Sequence, residues 1–216
     1  MIALFRIEEL TTGSISIDDI DIASIPIHTL RKSLCIIPQD PVMFSASIRF
    51  NLDPFHESIN DAMIWEVLED VHMKDYILSL PNQLDELISE NGDNFSAGQR
   101  QLLCIGRALL RKPKILVMDE ATASIDSETD AFIQTMIRNK FQDCTILTIA
   151  HRLHTVIDYD KILVLEAGKN MEYDTPQRLL QQQEGEGEGD GGIFKKLWEI
   201  HATEGHHQPQ PQQPSQ

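Results

Sequence analysis

The sequence has little cysteine, and its few cysteines are poorly placed for chemistry. Cys35, Cys104 and Cys144 each stand inside an apolar run, and none has the spacing of a metal ligand. Scattered thiols of this kind are typical of proteins that fold in a reducing compartment. The pattern therefore favours three buried free thiols over a metal or redox role.

Basic residues are also scarce. The 18 lysines and arginines are outnumbered by 34 aspartates and glutamates, which gives a formal net charge of −16. Nucleic-acid phosphates and anionic lipids repel such a chain at long range, which argues against unspecific binding to either. A local phosphate site on an acidic surface is still compatible with this charge.

Long apolar runs are absent as well. No run approaches the roughly 18 residues that a membrane-spanning helix needs, and the start of the chain is too short and too acidic for a secretory signal. The 216 residues are 41% hydrophobic, which is enough to bury the core of one ordinary domain. We therefore expect a globular protein that is soluble or peripheral.

Segments with the period of a strand alternate with segments that have the period of a helix. Proline, glycine and other turn residues separate them. This alternation predicts an α/β fold with a mainly parallel sheet that is covered on both faces. We expect strands over residues 14–18, 34–37, 115–118, 144–150 and 161–165, a hairpin partner at 171–173, and helices over 1–7, 27–33, 61–71, 76–80, 100–110 and 127–139.

Composition divides the chain into a long ordered part and a tail. Residues 1–180 carry the periodic segments, and within them residues 41–112 form a helical lobe inserted between strands. From residue 181 the sequence turns into repeated glutamine, glutamate and glycine, which cannot bury a core. We therefore expect residues 181–216 to be a disordered tail, in which residues 193–200 have an apolar helical face.

Two acidic residues, Asp119 and Glu120, follow the apolar run that predicts a strand at 115–118. Ligand sites of open α/β sheets form at the carboxyl ends of such strands. An aspartate there suits Mg²⁺, which prefers few carboxylates plus phosphate oxygens, and a neighbouring glutamate can orient or deprotonate a water. Taken alone, such a pair more often only opens a loop.

Small and polar residues at Ser96, Ala97, Gly98 and Gln99 open the helix predicted over 100–110. Free N–H groups and the helix dipole make such a start an anion site, and glycine lets a phosphate approach the backbone. An ordinary N-cap serine would explain these residues equally well.

Three more polar residues border predicted elements. Gln39 follows one strand, Asp126 precedes the helix at 127–139, and His151 follows the strand at 144–150. Each is weak evidence by itself, because a glutamine near a turn or a histidine at a strand end is usually structural. Structural roles do not explain why all these residues occur together in this order.

The ordered set resembles a known family. Four segments are similar to the Q-loop, the signature motif, the Walker B motif with its D-loop and the H-loop of ABC-transporter nucleotide-binding domains: I-I-P-Q-D-P, N-F-S-A-G-Q-R-Q-L-L, I-L-V-M-D-E-A-T-A-S-I-D and T-I-A-H-R-L. Two further features, S-I-R-F-N-L-D-P-F and the F-S-x-G-Q form of the signature, resemble the second such domain of subfamily C, the multidrug-resistance-associated transporters. The resemblance covers residues 1–180.

The resemblance implies a core like that of P-loop NTPases with an inserted helical subdomain, and ATP and Mg²⁺ as cofactors. It implies that Asp119 holds Mg²⁺, that Glu120 is the catalytic base and that His151 contacts the γ-phosphate. Gln39 would sense Mg²⁺ and the attacking water. A glutamate after Asp119 fits a transporter ATPase that is competent for hydrolysis.

The resemblance also implies partners. Ser96, Ala97, Gly98 and Gln99 would bind a nucleotide held mainly by a second nucleotide-binding domain in a head-to-tail pair, and Asp126 would communicate across that pair. The Q-loop would touch the transmembrane domains of a parent transporter, which places the chain at the cytoplasmic face of a membrane. Nucleic acid is not an expected partner.

The sequence departs from the family in one major respect. It contains no G-x-x-x-x-G-K-[ST] motif, the loop whose backbone and lysine hold the nucleotide phosphates. In the family, a segment like A-L-F-R at residues 3–6 lies just after that loop, so we expect a domain that is incomplete at its amino terminus and inactive in isolation. Asp19 in place of a common glycine and Gly106 in place of the usual alanine are smaller departures.

Two other functions stay open at this stage. The chain could be a non-catalytic interaction module whose Ser96 and Gly98 complete the ATP site of another domain in trans. DNA-repair and chromosome ATPases share these motifs, but the chain lacks a long heptad insertion and is acidic. This last class is therefore disfavoured.

Overall fold

The computed structural model describes residues 1–55, 60–120, 125–150, 153–181 and 192–204. The chain forms two compact units, Met1–Ile149 and Ala150–Gln216. The composition of the sequence had instead predicted that the ordered part of the chain ends at residue 180. The difference arises because the second unit has its own apolar core around Val156, Leu179 and Phe194.

The strands of the described residues pair in three small sheets. The central sheet has the order β3-β4-β5, and β3 runs parallel to β4. The other two sheets are antiparallel pairs, and the pair β6-β7 confirms the predicted hairpin. The strands are β1 Ser16–Ile17, β2 Ile20–Asp21, β3 Leu34–Ile37, β4 Ile115–Glu120, β5 Thr145–Ala150, β6 Ile162–Glu166 and β7 Lys169–Asp174.

The helices confirm most of the predicted ones, with ends that differ by a few residues. Short 3-10 helices also occur in the connections, at Ile22–Ser24, Gln83–Asp85 and Glu90–Gly92. The α-helices are α1 Ile27–Ser33, α2 Ile48–Leu52, α3 Asp61–Asp70, α4 Lys74–Leu78, α5 Ala97–Arg111, α6 Ser127–Lys140, α7 Leu153–Val156, α8 Pro176–Gln181 and α9 Ile193–Glu204.

The largest core joins the central sheet to the helices of the predicted lobe. Cys35 and Ile37 of β3 and Met118 of β4 pack in one cluster with α5, whose Leu103 and Ile105 are buried. Lobe and sheet thus belong to the same compact unit. The division of residues 41–112 from the rest as a separate subdomain stays a prediction.

The opposite face of the central sheet is only partly covered. Leu34, at the start of β3, packs against Leu30. Further along, Ile36 is 45% exposed, and Leu147 and Ile149 of β5 are 45% and 44% exposed. On the same face Val117 of β4, which pairs with Ile36, is only 1% exposed. The described sheet is therefore buried on both faces along β4 and open at Ile36 and β5.

The amino-terminal segment forms turns instead of the helix end predicted over residues 1–7. The Phe5 N–H donates to the Met1 carbonyl at 3.2 Å, as in one helical turn, but Arg6 then has a φ of +46°. Its guanidinium donates to the carbonyls of Ile22 at 3.0 Å and Ile25 at 2.9 Å. These tertiary contacts hold the segment in a non-helical path.

Helix α9 lies inside the predicted disordered tail, so the prediction of disorder is wrong for residues 193–204, whereas the apolar helical face predicted at residues 193–200 is confirmed. Phe194 is only 2% exposed and packs with Val156 and Leu179. The carboxylate of Glu172 caps the helix, accepting from the N–H groups of Ile193 at 2.6 Å and Phe194 at 3.0 Å. Residues 182–191 and 205–216 lie outside the described part of the chain.

The three cysteines are free, as predicted. Cys35 and Cys104 are buried, whereas Cys144 is only half-buried, which corrects the expectation that all three lie in the core. Burial raises the pKa of each thiol above its ordinary value. Thiols in such surroundings are less reactive, because the thiolate form is disfavoured.

Candidate functional site

The carboxyl ends of two neighbouring strands bring predicted site residues to one edge of the central sheet. In the parallel pair β3-β4, Ile37 lies opposite Met118. Gln39 follows Ile37 by two residues, and Asp119 follows Met118 directly. The register therefore places Gln39 and Asp119 at the same edge, as predicted for a ligand site of an open sheet.

The two predicted catalytic residues are only partly described. Glu120 is the last residue of β4, and the structure describes its backbone but not its side chain. β5 lies on the other side of β4 from β3 and ends at Ala150. His151 comes next in the sequence but lies outside the described residues. The catalytic roles of Glu120 and His151 stay predictions.

The start of α5 carries a capping box. The Ser96 hydroxyl oxygen accepts from the Gln99 N–H at 3.1 Å, and the Gln99 side-chain oxygen accepts from the Ser96 N–H at 2.9 Å. A hydroxyl that accepts one hydrogen bond can still donate its own hydrogen. The cap therefore fixes Ser96 in place while its O–H stays able to bind an acceptor.

Two backbone N–H groups are also available at this helix start. The N–H groups of Ala97 and Gly98 make no hydrogen bond to any residue that the structure describes. No acidic side chain stands in the first turn of α5, so the positive end of the helix dipole is not neutralised from within the helix. One O–H and two N–H donors at a helix start are the groups that bind a phosphate oxygen.

Gly98 packs closely against the start of α6, which brings Asp126 near the signature residues. A Cβ on Gly98 would lie 3.4 Å from Thr129 Cγ2 and 4.0 Å from Ile125 Cγ2. Asp126 caps α6 by accepting from the Thr129 N–H at 2.8 Å. Because that N–H stabilises the carboxylate, the pKa of Asp126 lies below its ordinary value of 3.8.

Sequence reasoning did not identify the residues that hold the turn before α5. Gly92 has a φ of +76°, which favours glycine. The Arg100 guanidinium donates to the carbonyls of Phe95 at 2.7 Å and Gly92 at 3.3 Å. The signal was present in the sequence, because Arg100 follows the signature directly and Gly92 interrupts a polar loop.

The donor set at the sheet edge suits a hard cation. Asp119 supplies a carboxylate and Gln39 an amide oxygen, and oxygen ligands of this kind are those that Mg²⁺ prefers. Among the residues that the structure describes, no group of three or more histidines, cysteines and acidic residues could hold a metal ion.

None of the described helices has the length and apolar content of a membrane span.

A family model and two curated relatives indicate the same family for this chain. The family model described as ABC transporter matches residues 1–123. The chain is 58% identical over 177 residues to ATP-binding cassette sub-family C member 2 of Mus musculus, which covers 82% of this chain and 11% of that protein. It is 56% identical over 185 residues to ABC transporter C family member 12 of Dictyostelium discoideum, with 86% and 14% covered.

A solved structure agrees with these relatives. The structure of a bacterial Atm1-family ABC exporter with ATP bound superposes with a TM-score of 0.82 at 32% identity, over 93% of this chain and 34% of that one. The chain thus spans 11% and 14% of the two curated relatives and about a third of the exporter chain. The match confirms the predicted α/β core. The chain belongs to the ABC transporter family, and these relatives place its similarity in subfamily C.

Proposed function

We propose that this chain is an ATP-binding and ATP-hydrolysing module of an ABC-type exporter and works in a head-to-tail pair with a second nucleotide-binding domain. The observation that carries the proposal is the start of α5. The Ser96 O–H and the N–H groups of Ala97 and Gly98 form a set of donors with no acidic neighbour in the first helical turn.

In this proposal the start of α5 binds the γ-phosphate of a nucleotide held mainly by the partner domain. The three donors would form charge-assisted hydrogen bonds with phosphate oxygens, and these are stronger than bonds between neutral groups. Gly98 has no side chain between the backbone and the phosphate. Asp126, close to Gly98 through Thr129, would lie at the contact between the two domains.

The edge of the central sheet would serve the chain's own nucleotide. Asp119 and Gln39 would hold Mg²⁺, which when bound neutralises part of the phosphate charge. Glu120 would orient the attacking water and accept its proton, and His151 would contact the γ-phosphate. Because these 216 residues contain no phosphate loop, this half of the proposal requires that such a loop be supplied together with the chain.

Pairing provides the first experiment. The chain is mixed with an intact nucleotide-binding domain from a sub-family C relative, with and without Mg·ATP, and the mass of the complex is measured by light scattering. We expect a complex that depends on ATP and is lost in Ser96→Arg, because the long cationic side chain fills the phosphate position. A control, Arg49→Lys, keeps the charge of a half-buried residue that forms ion pairs with Asp61 and Asp85, and this variant should form the complex normally.

Hydrolysis provides the second experiment. A segment that contains a G-x-x-x-x-G-K-[ST] phosphate loop is joined to the start of this chain. We expect Mg²⁺-dependent ATP hydrolysis that Glu120→Gln abolishes, because an amide cannot accept the proton of the attacking water. Absence of hydrolysis in the wild-type sequence would contradict the catalytic half of the proposal.

The alternative function is a non-catalytic module that completes another domain's ATP site in trans. The same start of α5 favours it, since all the donors for that role lie within the described chain. The two functions differ in one result. A complex that depends on ATP, without hydrolysis in the joined protein, would favour the alternative.

A further inference from the structure

Arg107 is a charged residue in the apolar stretch of α5, and it makes no ion pair with any described residue. Its Nε donates to the Asn51 carbonyl at 2.7 Å, and both Nη atoms lie 3.4 Å from the Val42 carbonyl. The guanidinium carbon is 5.5 Å from the centroid of the Phe44 ring. Directional contacts of this kind use the planar fork of arginine, which lysine lacks.

Asn51 holds the same segment from α2. Its side chain is almost completely buried, with 1% of the residue exposed. The amide oxygen accepts from the Phe44 N–H at 2.8 Å, and the amide nitrogen donates to the carbonyls of Phe44 at 2.9 Å and Ser47 at 3.1 Å. Two side chains from two helices therefore fix the backbone between Val42 and Ser47.

Arg107 of α5 contacts the Val42 carbonyl. Val42 stands three residues after Gln39, a distance of at most about 10 Å along an extended chain. The same helix, α5, has Ser96 and Gly98 at its start. α5 therefore links the two parts of the proposed nucleotide site.

We propose that Arg107 is a positioning residue that fastens the segment behind Gln39 to α5, so that an event at the start of α5 is transmitted to the Gln39 loop. The proposal rests on the proposed function for the roles of Gln39 and Ser96. In this proposal Arg107 acts through the backbone of Val42 and Asn51.

The first test uses the chain alone and measures hydrogen exchange. In Arg107→Lys we expect the Phe44 amide to exchange roughly tenfold faster than in the wild type, because the segment opens locally without the fork. Arg111→Lys is the matched control: Arg111 lies one turn further along α5, donates to the Arg31 carbonyl at 2.6 Å and stacks on Phe55. Equal exchange in the wild type and Arg107→Lys would overturn the proposal.

A milder variant covers the case in which Arg107→Lys does not fold. Phe44 is half-exposed, so Phe44→Leu removes the ring under the guanidinium without opening the core. We expect the same amide to exchange faster, by a smaller factor than in Arg107→Lys. If Arg107→Lys misfolds and the exchange rate of this amide is unchanged in Phe44→Leu, Arg107 is needed only for folding, and the proposal is overturned.

The second test adds Mg·ATP and the intact partner domain. In the wild type we expect slower exchange both at residues 96–99 and at residues 42–47. In Arg107→Lys the protection at 96–99 should persist while that at 42–47 is lost, which a defect of the whole fold would not produce. Equal protection of 42–47 in both proteins would contradict the proposal.

The two tests separate this proposal from the proposed function. If nucleotide and partner protect no residue of the wild type, the proposed function fails at the start of α5. The comparison of Arg107→Lys with Arg111→Lys in the chain alone still decides whether Arg107 holds the segment behind Gln39.

Discussion

Helices α5 and α6 begin next to each other, but their first turns have opposite electrostatic character. A Cβ at Gly98, at the start of α5, would be in van der Waals contact with Thr129 in α6. α5 is capped by the neutral Ser96 and has no acid in its first turn. α6 is capped by Asp126 and has Glu128 and Asp130 in its first turn.

The difference shows which of the two helix starts can accept an anion. Carboxylates near the start of a helix are stabilised by the dipole and neutralise it. The carboxylates at the start of α6 therefore already neutralise its dipole, and they would repel a phosphate. The start of α5 has hydrogen-bond donors and a dipole that no acidic residue of its first turn neutralises. It can therefore bind a phosphate, which agrees with the proposed role of the signature residues.

The largest effect is expected at the turn that leads into α5. In Gly92→Ala, the new Cβ would lie 2.7 Å from Arg100 Cδ and 2.9 Å from Met43 Cγ, at a φ of +76°. We expect the free energy of unfolding to fall by about 2–4 kcal/mol, from backbone strain and crowding together. Urea unfolding measures this change in the free energy of unfolding.

Gly13→Ala is the control for backbone strain alone. Gly13 has a similar φ of +82°, but nothing lies within 4 Å of the position of its Cβ. We expect a loss of about 1 kcal/mol there. Equal losses at Gly92 and Gly13 would show that Arg100 and Met43 move aside freely, and that the turn before α5 is not tightly packed.

Ser96→Ala should have the next largest effect. The substitution removes the acceptor for the Gln99 N–H and breaks the capping box, so we expect a loss of about 1–2 kcal/mol. The loss should be independent of pH between 3 and 7, roughly the range over which carboxylates titrate, because the cap is neutral. Urea unfolding at several pH values checks both statements, and a loss that varied with pH would count against a neutral cap.

Asp126→Ala should differ from Ser96→Ala in its pH dependence. The folded-state pKa of Asp126 lies below its ordinary value of 3.8, so its stabilisation is fully present above 3.8 and is lost as the pH falls through the lower, folded-state pKa. We therefore expect the wild type and Asp126→Ala to converge in stability in acid. A difference that stays constant down to the most acidic pH would refute the carboxylate cap.

Much of the fold could be predicted because the signals are local. The predicted helices at 27–33 and 127–139 agree with α1 and α6 within one residue, since apolar period and turn residues mark them. The predicted strand at 34–37 also has the observed ends. Gln39 and Asp119 were each predicted to follow a strand, and the parallel register of β3 and β4 places the ends of both strands at one edge of the sheet.

The failures involve partners that are distant in the sequence. Helix α9 is capped by Glu172, 21 residues before Ile193, and no local pattern announces such a cap. The turn at the amino terminus is fixed by the bond between Arg6 and Ile25, 19 residues apart. The contact between Arg107 and Val42 spans 65 residues, although a charge within the apolar run of α5 could have drawn attention to it.

The smallest effect is expected in the middle of α5, where Gly106 lies on the buried side of the helix. A Cβ there would meet Leu52 Cδ2 at 3.3 Å and Val67 Cγ1 at 3.4 Å, which is tight but involves the ends of side chains. Alanine gains about 0.5–1 kcal/mol of helix stability over glycine. The crowding offsets that gain, so we expect Gly106→Ala to change the free energy of unfolding by less than about 0.5 kcal/mol.

Ala108→Gly is the control for helix propensity in the same helix. Ala108 is fully buried one turn from Cys104, and its replacement by glycine should cost about 1 kcal/mol or slightly more through lost propensity and a small cavity. If Gly106→Ala instead stabilised the chain by a full 1 kcal/mol, on the same order as that cost, α5 would have room against α2 and α3. The close packing that brings Arg107 within reach of Asn51 would then be looser than the contacts at Gly106 indicate.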